Sequence, residues 1–265
     1  MLQFLPVSLL LLVLLPPQAL ATDFPYREYY PELNIIELAE LKAGYDRKEY
    51  VIVDVRTAAE FESVHIKGAV NLPYGYPKFT EELKKIAVDN PGKKILVYCN
   101  GITCLKSYKA AEDALYAGLS NVHAYDGGIG AWTDAYPAET ILAGKELSMP
   151  EKQLISKERF RSACLDFASF KEKALRENAV LIDVRDPIQR KEKLPGLDQA
   201  LQIPLDKLVT NIIAKGNMKD KDLFIFDQVG LQVNWLIYHL VANGYTSFHF
   251  LDGGATAVLK KQEYR

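Results

Sequence analysis

Cysteine, net charge and long apolar runs are all scarce in this 265-residue sequence, and each scarcity closes off a class of protein. Three cysteines cannot hold a chain of this size together as a disulfide scaffold. Lys and Arg number 32 against 34 Asp and Glu, a formal net charge of −2. That balance offers no overall electrostatic footprint for nucleic acid, and no nucleic-acid partner is expected. The one long apolar run, Leu2 to Leu15, is shorter than the ~20 residues that a comfortable membrane helix needs. What remains is ordinary: 49% hydrophobic and 25% charged residues, which excludes wholesale disorder. At roughly 100–200 residues per domain, the length suits one large domain or two small ones.

The apolar run ends at Pro16-Pro17, and Ala19-Leu20-Ala21 follows as a small-x-small cleavage pattern. Residues 1–21 therefore read as a secretory signal peptide, although no Lys or Arg precedes the run. An uncleaved anchor is the alternative. The expectation is an exported protein, periplasmic or secreted, with no stable membrane span once the signal is removed. An odd number of cysteines is unusual there.

Self-similarity organises the rest. Val51-Ile-Val-Asp-Val-Arg56 recurs as Val180-Leu-Ile-Asp-Val-Arg185, and Tyr125-Asp-Gly-Gly128 as Leu251-Asp-Gly-Gly254. Asn71-Leu-Pro73 matches Gln202-Ile-Pro204, and Gly118 matches Gly244. Four matches in the same order at a nearly constant offset indicate a tandem duplication. In the first repeat the apolar runs Tyr50–Val55, Ile95–Tyr98 and Asn121–Tyr125 read as buried strands. A helix over Ser107–Ala117 ends at Gly118, a natural position for a residue past a helix C-terminus. In the second repeat the strands are Val180–Val184, Leu223–Phe226 and Ser247–Leu251. The helix Leu231–Ala242 is too apolar to face water, so it is packed deep or lies between the repeats. Apolar strands alternating with helices predict an α/β fold, each unit a mostly parallel sheet with helices on both faces. The expected division is 22–140, a linker over 141–155, and 156–265.

The sharpest local feature is Val97-Tyr98-Cys99-Asn100-Gly101-Ile102-Thr103-Cys104-Leu105-Lys106-Ser107. Cys99 closes a predicted parallel strand, where open α/β sheets place ligand sites. The glycine-containing loop runs into a helix N-terminus, so its amides and the helix dipole favour a thiolate. Lys106 is expected to add a cation at the rim. The bland alternative is an inert cysteine ending a strand.

Taken with Val53-Asp54-Val55-Arg56, Glu60-Phe61, His65-Ile66, Gly68-Ala69, Asn71-Leu72-Pro73 and Asp126-Gly127-Gly128 followed by Trp132, this motif resembles the rhodanese sulfurtransferases. The second repeat resembles the same fold. The resemblance implies two tandem rhodanese-like domains and an enzyme in which Cys99 carries sulfane sulfur as a persulfide. The donor would be a small sulfur-containing anion such as thiosulfate or polysulfide, and the acceptor a thiol or cyanide. Residues Asn100, Gly101, Ile102, Thr103, Cys104, Leu105 and Lys106 would line the substrate site, with no cofactor and no metal. The loop departs from the commonest family pattern, because Lys106 stands seven positions after Cys99. Longer loops accommodate tetrahedral oxyanions, which keeps phosphatase or arsenate reductase chemistry in view. The phosphatase arginine, however, would fall at Leu105.

Cys104 is a spectator under the loop, a resolving thiol for a Cys99 persulfide, or the sulfur carrier itself. Cys164, in Ser-Ala-Cys-Leu, reads as a small buried hydrophobe. Asp54, Arg56, Asp183, Arg185 and His65 read as architectural. Trp132 is expected under the Gly127-Gly128 turn, and Tyr74 and Tyr76 near a pocket mouth. In the second repeat Asp227 takes the place of Cys99, and its loop is shorter by two residues with no basic side chain. A carboxylate cannot form a persulfide, so this site is expected to be degenerate. The second repeat would then cover the first or dock an acceptor protein. A thiol–disulfide redox protein using Cys99 and Cys104, and a non-catalytic sulfur-binding or partner-docking module, are the competing functions.

Overall fold

Strand alternation builds both cores. In the computed structural model, which describes residues 24–263, β1 (Asn34–Ile35), α1 (Leu38–Asp46), β2 (Tyr50–Asp54), α2 (Ala58–Ser63), β3 (Val64–Ile66) and β4 (Val70–Asn71) come first. They lead to α3 (Phe79–Asp89), β5 (Lys94–Tyr98), α4 (Lys106–Tyr116), β6 (Val122–Tyr125) and α5 (Gly128–Ala135). Along β5, Leu96 and Tyr98 face one apolar layer with Ile52, Tyr125 and Trp132. Ile95, Val97 and Cys99 face the other layer, against Leu83 of α3 and Ala110, Ala111 and Ala114 of α4. A run apolar on both faces is what a parallel sheet covered on both sides requires. The strands lie in the order β1-β6-β5-β2-β4, and every pair is parallel.

A second sheet repeats the plan. After β7 (Thr140–Leu142), β8 (Lys145–Glu146), α6 (Pro150–Gln153) and α7 (Lys157–Ala163) come β9 (Cys164–Leu165), α8 (Phe167–Ala174) and β10 (Ala179–Asp183). Then follow β11 (Leu201–Gln202), α9 (Leu205–Leu208), β12 (Asp222–Phe226), α10 (Val233–Ala242), β13 (Phe248–Leu251) and α11 (Gly254–Glu263). The order β9-β13-β12-β10-β11, all parallel, is that of the first sheet strand for strand. The duplicated motifs thus fall at equivalent places: Asp54 and Asp183 end central strands, and Cys99 and Asp227 follow β5 and β12.

Two expectations need correction. Residues 141–155 are not a plain linker, because β7 pairs antiparallel with β3 and with β8 in a small three-stranded sheet. Backbone partners from β3 fix that segment to the first half. Trp132 is buried in α5, the helix that Gly128 opens, against Tyr45 and Tyr136, and its indole donates to the Glu139 carbonyl. Cys164 is not fully buried packing; it opens the edge strand β9, half-buried. Residues 1–21, expected to be a signal peptide, lie outside the described residues. Among the described residues no helix is long and apolar enough to cross a membrane.

The apolar helix α10 is both deep and between the halves. Val233, Leu236, Ile237 and Leu240 pack on the second sheet, while Trp235 joins the first-half core. His239 Nε2 lies 2.7 Å from Ser63 Oγ and 2.9 Å from the Ala59 carbonyl, both in α2. The Ala59 amide donates to Asp206 of α9 at 2.9 Å.

Candidate active site

Cys99 directly follows β5 and has no exposed surface. Its carbonyl accepts the Ile129 amide, which anchors the strand end to α5. Gly128, at φ +70°, makes that approach possible: a Cβ there would lie 2.2 Å from the Gly101 amide nitrogen. Within the loop, the Cys104 amide donates to the Gly101 carbonyl at 2.8 Å, so the chain turns back over the sulfur.

The sulfur is surrounded by donors. Cys99 Sγ lies 3.3 Å from Ser107 Oγ, and as a thiol it also donates to the Cys104 carbonyl oxygen at 3.5 Å, the one acceptor among them. Burial opposes a thiolate here, but hydrogen bonds from the Cys104 and Ser107 side chains and the Gly101 and Ser107 amides outweigh it. They bring the Cys99 thiol down to about 7. The Cys104 thiol is pushed well above its ordinary value by its bond to Cys99, by burial and by the Cys99 charge. The pair therefore divides its roles: Cys99 holds the charge and Cys104 the proton. The amides that contribute are those of Gly101 in the loop and Ser107 at the start of α4.

Lys106 corrects another expectation. It is not a free cation at the rim: Nζ pairs with Asp186 Oδ2 of the second half at 3.0 Å, and its side chain is only 15% exposed. Burial works against its charge, yet Glu60 and Asp186 hold it above the ordinary lysine value. The exposed loop residues are Ile102 and Thr103, while Cys104 and Leu105 are half-buried.

Glu60 is the residue that sequence reasoning undervalued. Thr57 and Glu60 form a capping box at the start of α2, and Thr57-x-x-Glu60 is its legible signature. That signature does not reveal that Glu60 is fully buried beneath the loop. Glu60 accepts from Asn100 Nδ2 at 2.5 Å, Thr57 Oγ1 at 2.9 Å and Gln232 Nε2 at 3.3 Å. Burial raises its carboxyl, but Lys106, Arg56 and these hydrogen bonds prevail and hold it below the ordinary value. Asn100 Oδ1 in turn accepts the Trp235 indole N–H at 2.8 Å. Asp186, Gln232 and Trp235 all come from the second half, and no local signal links them to Cys99.

The architectural residues are placed as such. Arg56 and Asp54 form a fully buried pair, with Nη2 to Oδ2 at 2.6 Å, and Arg185 and Asp183 repeat it at 2.8 Å. His65 is stacked on Phe61 with Nδ1 2.7 Å from the Phe61 carbonyl. Tyr74 donates to Asp113 at 2.9 Å, and Tyr76 is exposed. No group of acidic, histidine and cysteine side chains suited to a metal occurs among the described residues.

In the second half the equivalent loop is filled by its own residue. Asp227 accepts the amides of Gly230 at 2.5 Å, Gln232 at 2.6 Å and Val233 at 3.3 Å. It is fully buried, and burial raises its carboxyl to about 6, against these amides, with Glu60 adding to the rise.

Residues 37–135, the segment that carries Cys99 and its loop, match the family described as the Rhodanese-like domain. The chain is 33% identical over 91 residues to "Thiosulfate sulfurtransferase GlpE" of Pseudomonas savastanoi pv. phaseolicola, covering 34% of this chain and 79% of that protein. It is 36% identical over 96 residues to "tRNA uridine(34) hydroxylase" of Cytophaga hutchinsonii, covering 36% of this chain and only 30% of that protein. A crystal structure of thiosulfate sulfurtransferase from Pseudomonas aeruginosa aligns at 24% identity and TM-score 0.37, over 87% of this chain and 45% of that one. With the family signature lying on the loop itself, and a small relative matched over most of its length, the chain belongs to the rhodanese-like family.

Proposed function

We propose that this protein is a sulfurtransferase in which Cys99 carries sulfane sulfur. The supporting observation is the convergence of the Ser107 hydroxyl, the Cys104 thiol and the Gly101 and Ser107 amides on one buried sulfur at a strand end. These donors stabilise a thiolate, and they would equally stabilise the negative outer sulfur of a persulfide. In the first half-reaction the Cys99 thiolate attacks the sulfane sulfur of a donor. The donor's S–S bond breaks, its electron pair leaves with the donor remnant, and Cys99 becomes a persulfide. With thiosulfate the leaving group is sulfite, and charge balances at three negatives on each side. In the second half-reaction cyanide or an acceptor thiolate attacks the outer sulfur and returns the Cys99 thiolate. Cys99 has no exposed surface, so a donor reaches its sulfur only when surrounding atoms move.

The second half is catalytically silent in this reading and serves to cover and position the first. Asp227 cannot carry sulfur, and its carboxylate occupies the amides a donor would need. Export rests on Leu2–Leu15 and Ala19-Leu20-Ala21, and mass spectrometry of the mature N-terminus tests it. The hydrogen-bonded Cys99–Cys104 pair favours one second reading, a thiol–disulfide redox protein.

The deciding experiment is cyanolysis by the purified protein with thiosulfate, polysulfide and hydropersulfide donors, with mass spectrometry of the Cys99 peptide. The expected result is thiocyanate formation, one added sulfur atom on Cys99, and loss of both in Cys99→Ser. No thiocyanate from any donor, together with a stable Cys99–Cys104 disulfide, would favour the redox reading.

A further inference from the structure

The buried charges around Cys99 add up to more acid than base, and the second half supplies part of the acid. Resting on the reading that Cys99 carries sulfur, we propose that the site selects against the thiosulfate dianion and takes an organic hydropersulfide, R–S–SH. The residue that sets this preference is Asp186.

A free Lys106 would give the loop a cation with which to hold an anionic donor. Here its ammonium is committed to the Asp186 carboxylate at 3.0 Å, with both side chains largely covered. The other nearby cation, Arg56, is committed to Asp54, and both are without exposed surface. That leaves Glu60, whose hydrogen-bond partners, Thr57, Asn100 and Gln232, are all neutral donors. Two cations thus face three carboxylates before the Cys99 thiolate is counted. Asp227 lies near enough for Glu60 to act on it. Buried charges are poorly screened, so a donor bringing two negative charges meets repulsion that water does not remove.

A hydropersulfide avoids this. The Cys99 thiolate attacks its outer sulfur, the S–S bond breaks, and the electron pair leaves as the thiolate R–S⁻. The proton carried on the outer sulfur passes to that leaving group. Cys99 is left as a persulfide with one negative charge, so the site gains no net charge in the step. Asp186 touches neither Cys99 nor the donor; it acts through Lys106 as a positioning and charge-setting residue.

The test compares donors that deliver the same sulfur with different charge. Loading of Cys99 is measured as kcat/KM for thiosulfate, for methanethiosulfonate, which has one negative charge fewer, and for an alkyl hydropersulfide. The wild type is expected to use the two low-charge donors at least about tenfold better than thiosulfate. Asp186→Asn frees the Lys106 ammonium and should raise thiosulfate use severalfold while hydropersulfide use stays within about twofold. Asp186→Glu should keep the wild-type ratio. Equal use of all three donors by the wild type overturns the proposal. So does an unchanged donor ratio in an Asp186→Asn protein that still uses the hydropersulfide. If Asp186→Asn loses hydropersulfide transfer as well, the wild-type ratio of methanethiosulfonate to thiosulfate use decides, and a ratio near one overturns the proposal. Failure of every donor to load Cys99 has a different meaning: it removes the sulfurtransferase reading itself.

Discussion

The loops after β5 and β12 start from the same backbone and end in different chemistry. In each, the carbonyl of the residue at the strand end accepts an amide from the following helix: Ile129 to Cys99, and Ala255 to Asp227. In each, the second glycine of Asp-Gly-Gly is pressed against the loop, so that a Cβ on Gly128 or Gly254 would collide with backbone. In the first loop the amides of Gly101 and Ser107 face a thiol. In the second, three amides are taken by the covalently attached carboxylate of Asp227. The comparison teaches that anion binding belongs to the backbone of this fold, whereas chemistry belongs to one side chain. A cradle of N–H groups persists in both halves, and a carboxylate in it acts as a permanent internal ligand.

The severest way to break this comparison is to copy the second loop into the first. Cys99→Asp should abolish sulfur transfer, a fall on the order of a thousandfold or more in cyanolysis. It should still fold, because the carboxylate finds the same kind of amides that Asp227 finds. A Cys99→Asp protein that does not fold would show that the two cradles are not equivalent.

Two buried carboxyls, one in each half, give a comparison in pH. Asp227 is raised from 3.8 to about 6, so its contribution to stability is fully present below pH 3.8 and is lost as pH rises through about 6. A shift of that size corresponds to about 3 kcal/mol at most. Glu60 is lowered from 4.5, so its contribution is present above 4.5 and is lost as pH falls through its folded value. Urea denaturation from pH 4 to 7 should show Asp227→Asn losing the decline that the wild type owes to this residue. Glu60→Gln should instead gain, relative to wild type, as the pH falls. If Asp227→Asn follows the wild-type profile, the second cradle does not hold a strained acid.

Cys104 tests the first loop alone. Cys99 is at about 7 with the Cys104 thiol donating to it. Removing that donor in Cys104→Ala should move the acid limb of the loading rate upward, toward the free-cysteine value of about 8.5. Near neutral pH the rate falls by up to about tenfold, and at high pH it recovers. A resolving role for Cys104 predicts something else: an unchanged limb and loss of sulfide release.

These differences explain which features were readable in advance. The central strands, the duplicated motifs and the place of Cys99 follow from local apolar runs and turns, because a parallel sheet imposes its pattern on contiguous residues, whereas the order of the strands and the two-residue edge strands β1 and β4 do not. Asp227 in the cysteine position is equally local. The pairing of Lys106 with Asp186 is not: the partner lies in the other half, and neither residue's neighbours mark it. Thr57-x-x-Glu60 is legible as a helix cap, but the burial of Glu60 depends on Gln232 and on the loop above it. Residues 141–155 looked like a connector because β7 and β8 are three and two residues long, too short to show a period. Their order comes from β3, a partner distant in sequence.

The smallest expected effect asks whether the second half contributes to the Cys99 loop of the first. Asn100 follows Cys99 directly, and its side chain is held by Glu60, by Arg56 Nη1 at 3.4 Å and by the Trp235 indole at 2.8 Å. Trp235→Phe keeps an aromatic ring between the halves but deletes the donor. Asn100 Oδ1 is then left with only the long bond from Arg56. The net loss of one such hydrogen bond is about 1 kcal/mol, which as transition-state energy is about a fivefold fall in kcat/KM. Stability should change by no more than the same amount, because Arg56 still partly satisfies the oxygen. If the rate is untouched while stability falls, α10 is only a cover. If the rate falls more than stability does, the second half has exchanged its own chemistry for a share in holding the loop of the first.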